Sequence, residues 1–192
     1  MISHLRPALV MLSLFTFLTG LIYPLAITGI AQVASPAGAN GSLLVRDNRV
    51  VGSDLIGQAF TSDRYFWPRP SAAGEKGYDA ANSSGSNLGP LSAKLIDRVD
   101  ADVAALKKAG AKTIPADAVT TSASGLDPHI SPAYAETQIS RVAAARNLPE
   151  QRVRELVQAA IERPALGLVG ELRINVVRLN LALDAAVLGG AG

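Results

Sequence analysis

The feature that most constrains this sequence is a long apolar run near its start, from Pro7 to Val33. After Arg6 the next charged residue is Arg46, and the large apolar side chains between them cover every face of a helix rather than one stripe. About 20 apolar residues cross a bilayer as a helix, and this run is longer. The run therefore predicts one transmembrane helix over residues 7–33, with the lipid membrane as a partner.

Small residues within the run suggest where a second helix could pack. Ser13, Thr16 and Gly20 fall on one helical face, and small side chains on such a face let another membrane helix approach closely. Gly20 followed by Pro24 also predicts that the helix bends or loosens near its end. We therefore expect a membrane packing face formed by these three small residues.

The charges that flank the run predict its orientation. Arg6 and the terminal amine precede the span, and basic residues are enriched on the cytoplasmic side of membrane helices. This predicts a short cytoplasmic N-terminus over residues 1–6, a small-residue linker over 34–41 and an extracytoplasmic domain over 42–188. Residues 189–192 are predicted to form a disordered tail.

A cleaved signal peptide is the alternative interpretation of the same run. Ala37-Gly38-Ala39 resembles a cleavage site, although signal peptides have apolar segments of only about 7–15 residues. On this alternative the mature chain is an exported hydrolase or binding protein.

Composition excludes several classes of function. Eighteen basic and sixteen acidic residues give a net charge of +2, which is too balanced for a nucleic-acid-binding protein. The absence of cysteine excludes disulfides, thiolate nucleophiles and cysteine-ligated metals. His4 and His129 are the only histidines, so a multi-histidine metal site is excluded as well.

The pattern after the span predicts an α+β domain. Two β-rich runs flank Asp47-Asn48 and predict a hairpin, and Arg173–Arg178 alternates like a strand. Helices are expected from Pro90 to Gly110, from Pro132 to Arg146 and from Pro149 to before Pro164, with a last helix capped near Asn180. Ile114–Ser124 is expected to be an edge strand or an extended loop.

Three polar or aromatic segments are candidates for chemistry or binding. Asp127 and His129 flank a proline close to Ser122 and Ser124, but a Ser-His-Asp triad needs convergence in space and there is no G-x-S-x-G turn. Ser83–Gly89 lacks the lysine and spacing of a phosphate-binding loop, so a flexible loop is expected. The aromatic segment Tyr65–Pro70 is either a docking surface or a buried anchor for the core.

Several of these stretches also carry a resemblance. The longest runs from Pro115 to Pro132 and includes Asp-Pro-His-Ile-Ser-Pro, and it is accompanied by Tyr23-Pro24-Leu25, Tyr65–Ser71 and Ser86–Pro90 earlier in the chain. With Gly52-Ser53, Arg141–Arg146 and Leu179-Asn180, the matching stretches extend over nearly the whole chain in order. They resemble the C subunit of the Kdp potassium-transporting P-type ATPase.

The resemblance implies an accessory, non-catalytic subunit in a bacterial inner membrane. Its partners would be a channel-like potassium-binding subunit, a P-type ATPase subunit and a small fourth subunit, with ATP and potassium used by the complex. The family is described as promoting ATP binding by the catalytic subunit. Since the predicted domain lies outside and ATP is cytoplasmic, we expect indirect coupling to ATP binding or none, and no cofactor or metal bound by this chain.

The resemblance and the residue types together give the candidate partner contacts. The aromatic segment contributes aromatic and arginine side chains, which are common in interface hot spots. The candidates are Tyr65, Phe66, Trp67, Arg69, Asn87, Asp127 and His129.

Overall fold

The apolar run forms one long helix in the computed structural model, which describes residues 2–164 and 170–189. Helix α1 spans Ile2–Phe17, a π-helical turn follows over Leu18–Ile22, and α2 continues over Tyr23–Ala34. The stretch His4–Ala34 is long and apolar enough to cross a membrane. The helix predicted for the apolar run is confirmed, whereas its membrane crossing stays a prediction. The helix starts earlier than expected, because residues of the predicted N-terminal segment are already helical.

The π-helical turn lies where we expected Gly20 and Pro24 to loosen the helix. Proline has no backbone N–H to donate four residues back. The Tyr23 N–H reaches the Leu18 carbonyl, five residues earlier, and the Thr19 hydroxyl donates to the Phe15 carbonyl at 2.6 Å. The chain thus accommodates the proline by a local change of helical pitch, without a break.

A short helix and a hairpin follow the long helix. Helix α3, Pro36–Ala39, lies inside the segment predicted to be a linker. Strands β1, Leu43–Arg46, and β2, Arg49–Ser53, form the predicted hairpin, which is confirmed. Asp47 and Asn48 both have positive φ, as the two central residues of a type I′ turn require.

The chain divides into two compact units, Met1–Val51 and Gly52–Gly192. The first holds the long helix, α3 and most of the hairpin, so the hairpin groups with the long helix. The boundary of the extracytoplasmic domain that we expect at residue 42 concerns membrane topology and stays a prediction. Of the expected tail, Gly189 ends the last helix and residues 190–192 lie outside the described residues.

Over residues 52–164 and 170–189, the second unit combines four α-helices with a small antiparallel sheet. The helices are α4, Ala93–Lys108; α5, Pro132–Arg146; α6, Glu150–Ala159; and α7, Val176–Gly189. The sheet has the order β3-β5-β4, with β3 at His129–Ile130, β4 at Ile161–Glu162 and β5 at Arg173–Asn175. Together with the hairpin and helices this gives the predicted α+β fold.

The core of the second unit lies between α5, α6, α7 and the central strand β5. Apolar residues at helical spacing on the three helices face Ile174, which is fully buried. Pro132 begins α5 and Ser131 caps it, because the Ser131 hydroxyl accepts from the Tyr134 N–H. The members of this core with at most 2% exposure include Ile139, Val142, Val153, Val157, Leu179 and Leu183.

The C-terminal part of the chain differs from the sequence-based prediction. The strand predicted over Arg173–Arg178 ends at Asn175, and Val176–Arg178 form the first turn of α7. The cap is Asn175, whose side-chain oxygen accepts from the Arg178 N–H at 3.1 Å. Asn180, predicted to cap this helix, lies inside it instead.

Three smaller differences concern element boundaries. Helix α4 begins at Ala93 after Ser92, and Pro90 stays in the preceding turn. The helix expected to continue until just before Pro164 ends at Ala159, because Ile161 pairs with Ile174 in the sheet. Ile114–Ser124 was expected to be an edge strand or an extended loop. The structure has a loop there, with a single 3-10 turn at Ala116–Ala118.

Candidate functional site

The aromatic segment Tyr65–Pro70 is fixed to the helical core through its backbone. The Phe66 N–H donates to Asn180 Oδ1 at 2.8 Å, and the Phe66 carbonyl accepts from Asn180 Nδ2 at 3.0 Å. Phe66 has no exposed surface and packs with the core. The buried-anchor interpretation is therefore correct for Phe66, and the prediction that its side chain contacts a partner is wrong.

Trp67 lies on the outer side of the same segment and is partly exposed. Gln138 of α5 bonds both backbone groups of Trp67, accepting at 2.7 Å and donating at 3.2 Å. The Arg141 guanidinium lies 3.6 Å from the centre of the indole ring. Burial lowers the pKa of Arg141 to about 10, so Arg141 stays a cation at neutral pH and supports a cation–π contact.

Tyr65 is held by a second arginine. The Arg146 guanidinium lies 4.8 Å from the Tyr65 ring, and Nη2 of Arg146 bonds Asp184 at 2.8 Å. The Tyr65 hydroxyl also bonds Asp184, at 3.2 Å. Since the Arg146 side chain is almost completely buried, this ion pair joins α5 to α7 beneath the aromatic segment.

Arg69 joins the aromatic segment to the loop before β3. Nη1 of Arg69 lies 2.9 Å from Asp127 Oδ2, and the same guanidinium donates to the carbonyls of Thr120 and Thr121. Planar guanidinium groups suit such several-fold bonding. The sequence placed Arg69 and Asp127 in separate candidate segments, and the structure brings them together.

His129 lies between two carboxylates. Its backbone N–H and its Nδ1 both bond Asp127 Oδ1, at 3.0 Å and 3.2 Å. Its Nε2 is 3.8 Å from Glu162 of β4. Burial alone would raise the pKa of Asp127, but the hydrogen bonds from His129 and the charge of Arg69 outweigh it and lower that pKa.

This arrangement does not form the catalytic triad considered from the sequence. A triad histidine has one nitrogen facing a carboxylate and the other facing the nucleophile. Both nitrogens of His129 face carboxylates, while the hydroxyls of Ser122 and Ser124 lie 3.5 Å from each other. Arg69, Asp127 and His129 therefore form a polar cluster, here called the lock, that joins the aromatic segment to the loop before β3. Each of the three side chains is about one-quarter exposed.

The Gly- and Ser-rich stretch from Ser71 to Gly85 packs closely against the loop before Asp127. The Ser71 hydroxyl donates to the Gly125 carbonyl at 2.6 Å, and the Ser84 N–H donates to the Ser124 carbonyl at 2.9 Å. Gly125 has φ +66, and a Cβ there would lie 2.6 Å from the Ser84 carbonyl oxygen. The expected flexible loop is thus tied down at this end, whereas Asn87 is exposed, with φ 49.

A cleft of about 500 Å³ lies between the aromatic segment and α4. Trp67, Tyr78 and Tyr134 contribute aromatic walls, and Asp102 and Leu106 of α4 complete it. Burial raises the pKa of Asp102, whose Oδ2 is 3.6 Å from Arg98 without a hydrogen bond. Among the described residues no cluster of three or more histidine or acidic side chains could hold a metal ion.

Comparison with known proteins gives the family of this chain. The profile of the family described as "KdpC: K+-transporting ATPase, c chain" matches residues 5–185. A protein named potassium-transporting ATPase KdpC subunit, from Caulobacter vibrioides, is 59% identical over 96% of this chain and 94% of its own length. Proteins of the same name from Allorhizobium ampelinum and Sorangium cellulosum are 57% and 55% identical, over 97% of this chain and 98% and 100% of their lengths.

The chain belongs to the KdpC family. The family resemblance drawn from the sequence is confirmed. The prediction that the chain is a subunit of a potassium-transporting P-type ATPase is confirmed with it. The loop through Asp127 and the aromatic segment, which carried much of that resemblance, are joined in the structure through Arg69.

The sequence did not identify the polar residues that hold this candidate site together. Gln138, Arg146 and Asn180 are buried, and each bonds the backbone of the aromatic segment or of Arg64 just before it. In the sequence, such residues can be recognised only as polar residues on the apolar face of a predicted helix. Gln138 and Arg146, for example, lie beside Ile139 and Val142. In the other unit, Ser13, Thr16 and Gly20 are all exposed along the long helix.

Proposed function

We propose that this chain is an accessory, non-catalytic subunit of an ATP-driven potassium uptake pump, needed for its assembly or stability. The observation that carries the proposal is the relationship to proteins named potassium-transporting ATPase KdpC subunit along almost the whole chain. The helix of spanning length at the N-terminus supplies a membrane anchor for such a subunit.

The proposed topology follows from the flanking charges. The N-terminus up to Arg6 is cytoplasmic, and the domain from residue 42 onward is outside the bacterial inner membrane, following the positive-inside rule. Any effect on ATP binding by the catalytic subunit then acts through packing between subunits. Protease added outside intact cells should cleave this domain, whereas cleavage only after the membrane is opened would reverse the topology.

The proposed partners are the channel-like potassium-binding subunit, the P-type ATPase subunit and the small fourth subunit. On the domain, we assign the contact surface to the exposed parts of Arg69, Asp127 and His129 and to the exposed residues around them. In the membrane, we assign it to the small-residue face. The residues concerned are Tyr65, Trp67, Arg69, Asn87, Asp127 and His129 on the domain, and Ser13, Thr16 and Gly20 in the helix.

Co-purification from native membranes tests this proposal. A tag on this chain should recover the channel-like and ATPase subunits together. Recovery of this chain alone, from membranes in which the other subunits are present, would overturn it.

The exported hydrolase or binding protein is the competing function, and the geometry of His129 gives it no support. Mass spectrometry of the mature protein separates the two. A mature N-terminus at or near residue 1 agrees with an uncleaved anchor, whereas one at Asn40 would favour export.

A further inference from the structure

The hairpin of the first unit exposes an apolar face. With a two-residue turn at Asp47-Asn48, Val45 lies opposite Val50 on the neighbouring strand, and Leu43 shares their face because side chains alternate along a strand. All three residues are exposed: Leu43 to 53%, Val45 to 61% and Val50 to 60%. A two-stranded hairpin by itself is only marginally stable in water, so we expect this face to be buried against another surface.

The position of the hairpin indicates what covers it. The helix from Arg6 to Gln32 is about 39 Å long at 1.5 Å per residue, close to the roughly 40–45 Å of a bilayer with its headgroups. Gln32 exchanges two hydrogen bonds of 3.2 Å with Asn40, which ties the chain after α3 back to this end of the helix. Leu43 follows three residues later, so it lies within about 11 Å of Asn40.

The size of the face favours lipid over protein. Three partly exposed aliphatic side chains offer a few hundred Å², well short of the roughly 800 Å² per partner of a standard protein interface. A membrane surface sets no such minimum, because the helix beside the hairpin already provides the anchor. Arg46 and Arg49 lie opposite each other near the turn on the other face of the hairpin, so that the basic side chains of the hairpin stay off the apolar face.

We propose that the face formed by Leu43, Val45 and Val50 lies on the bilayer surface, against the boundary between lipid headgroups and acyl chains. The inference rests on the membrane span assigned under the proposed function, and it does not depend on partner subunits. The hairpin then sets the height of the chain above the membrane at the point where the second unit begins.

The absence of cysteine allows a direct test on the full-length chain. Single cysteines at Val50→Cys and Val51→Cys carry a nitroxide label in nanodiscs of phosphatidylcholine and phosphatidylglycerol. The two positions are adjacent valines on opposite faces of the strand, so the second is a matched control. The measurement is the ratio of collision rates with oxygen, which concentrates in lipid, and with a water-soluble nickel chelate.

We expect a several-fold higher oxygen-to-nickel ratio at position 50 than at position 51. Equal ratios at the two positions would overturn the proposal. Protection of position 50 from nickel only after the other pump subunits are added would also overturn it, in favour of a protein partner.

A third label at Leu14→Cys, within the span, separates this result from the proposed function. A lipid-like ratio at 14 with water-like ratios at 50 and 51 rejects the hairpin proposal and leaves the membrane anchor intact. A water-like ratio at 14 contradicts the anchor, and with it the basis of the hairpin proposal.

Discussion

Asn180 fixes the aromatic segment to α7 through the backbone of Phe66. It is 2% exposed and bonds both backbone groups of Phe66. In Asn180→Ala both groups stay buried without partners, and we expect a loss of about 2–4 kcal/mol in the free energy of unfolding. Trp67, the only tryptophan, provides the fluorescence signal for urea unfolding.

The matched control for this substitution is Asn82→Ala. Asn82 is exposed and bonds only Asp79 nearby, so its loss should change stability by less than about 0.5 kcal/mol. Similar losses in the two variants would show that the aromatic segment does not depend on Asn180.

Asp127 makes stability depend on pH. Its pKa in the folded chain lies below the usual value of 3.8, so the unfolded chain binds the proton more readily. The stabilisation is therefore complete above about pH 5 and is lost as pH falls through the folded-state pKa. Asp127→Asn should lower stability at neutral pH and reduce the fall in acid, measured by urea unfolding between neutral and acid pH.

Asp97→Asn is the comparison for this pH effect, since Asp97 is exposed on α4. We expect it to keep the acid-dependent fall of the unmodified chain. If Asp127→Asn keeps that fall too, the lock formed with Arg69 and His129 does not stabilise the fold.

At this scale the sequence indicated which segments matter but not how they join. The aromatic segment and the Asp127 loop were both candidates. The bond between Phe66 and Asn180, however, joins residues 114 positions apart, and nothing local in either segment specifies the other. The fully buried Phe66 illustrates the same limit, because an aromatic residue in a polar segment fits an interface and a core equally well.

Among the elements, the loop through Gly125 depends on close backbone packing. An alanine there would need φ +66 and would also press its Cβ against Ser84 and Ala73, with 2.6 Å to the Ser84 carbonyl oxygen. We expect Gly125→Ala to cost about 3 kcal/mol or more. Urea unfolding followed by Trp67 fluorescence measures the cost.

Gly110→Ala isolates the contribution of backbone strain. Gly110 has φ +95, but a Cβ would meet nothing within 4 Å, so its substitution should cost only the strain, about 1–2 kcal/mol. Equal costs at Gly110 and Gly125 would mean that the contacts of the loop with Ser84 and Ala73 contribute nothing.

The membrane helix offers a similar pair. A Cβ at Gly20 or at Gly29 would meet nothing within 4 Å, so a leucine at either position leaves the isolated helix intact. If the face with Ser13 and Thr16 packs against a partner helix, Gly20→Leu should reduce co-purification of the other subunits several-fold. Gly29→Leu should not, and equal recovery with both variants would contradict the assignment of this face.

Elements with local signals were predictable, and those fixed by distant pairing were not. The hairpin has its turn residues in the sequence, and α5 has Ser131 and Pro132 at its start. The strands β3 and β4 have two residues each and exist because both pair with β5. The prediction of a strand through Arg178 was wrong. The apolar alternation before Asn175 is too short to distinguish a strand from a helix, and Asn175 can cap a helix.

On the scale of the whole molecule, charge and apolar character are separated along the chain. The apolar surplus lies in the spanning helix, and the remainder carries nearly balanced charge, with 18 basic and 16 acidic residues in the full chain. A weak net field gives little attraction for potassium. We therefore infer that the chain acts through packing on partner subunits and on the membrane.

Potassium-stimulated ATP hydrolysis, measured in membranes from cells that lack this chain, decides whether the pump needs it. We expect the stimulated activity to be lost without the chain and to return when the full-length chain is expressed again. Full potassium-stimulated activity in its absence would contradict the role of this chain as a required subunit of the pump.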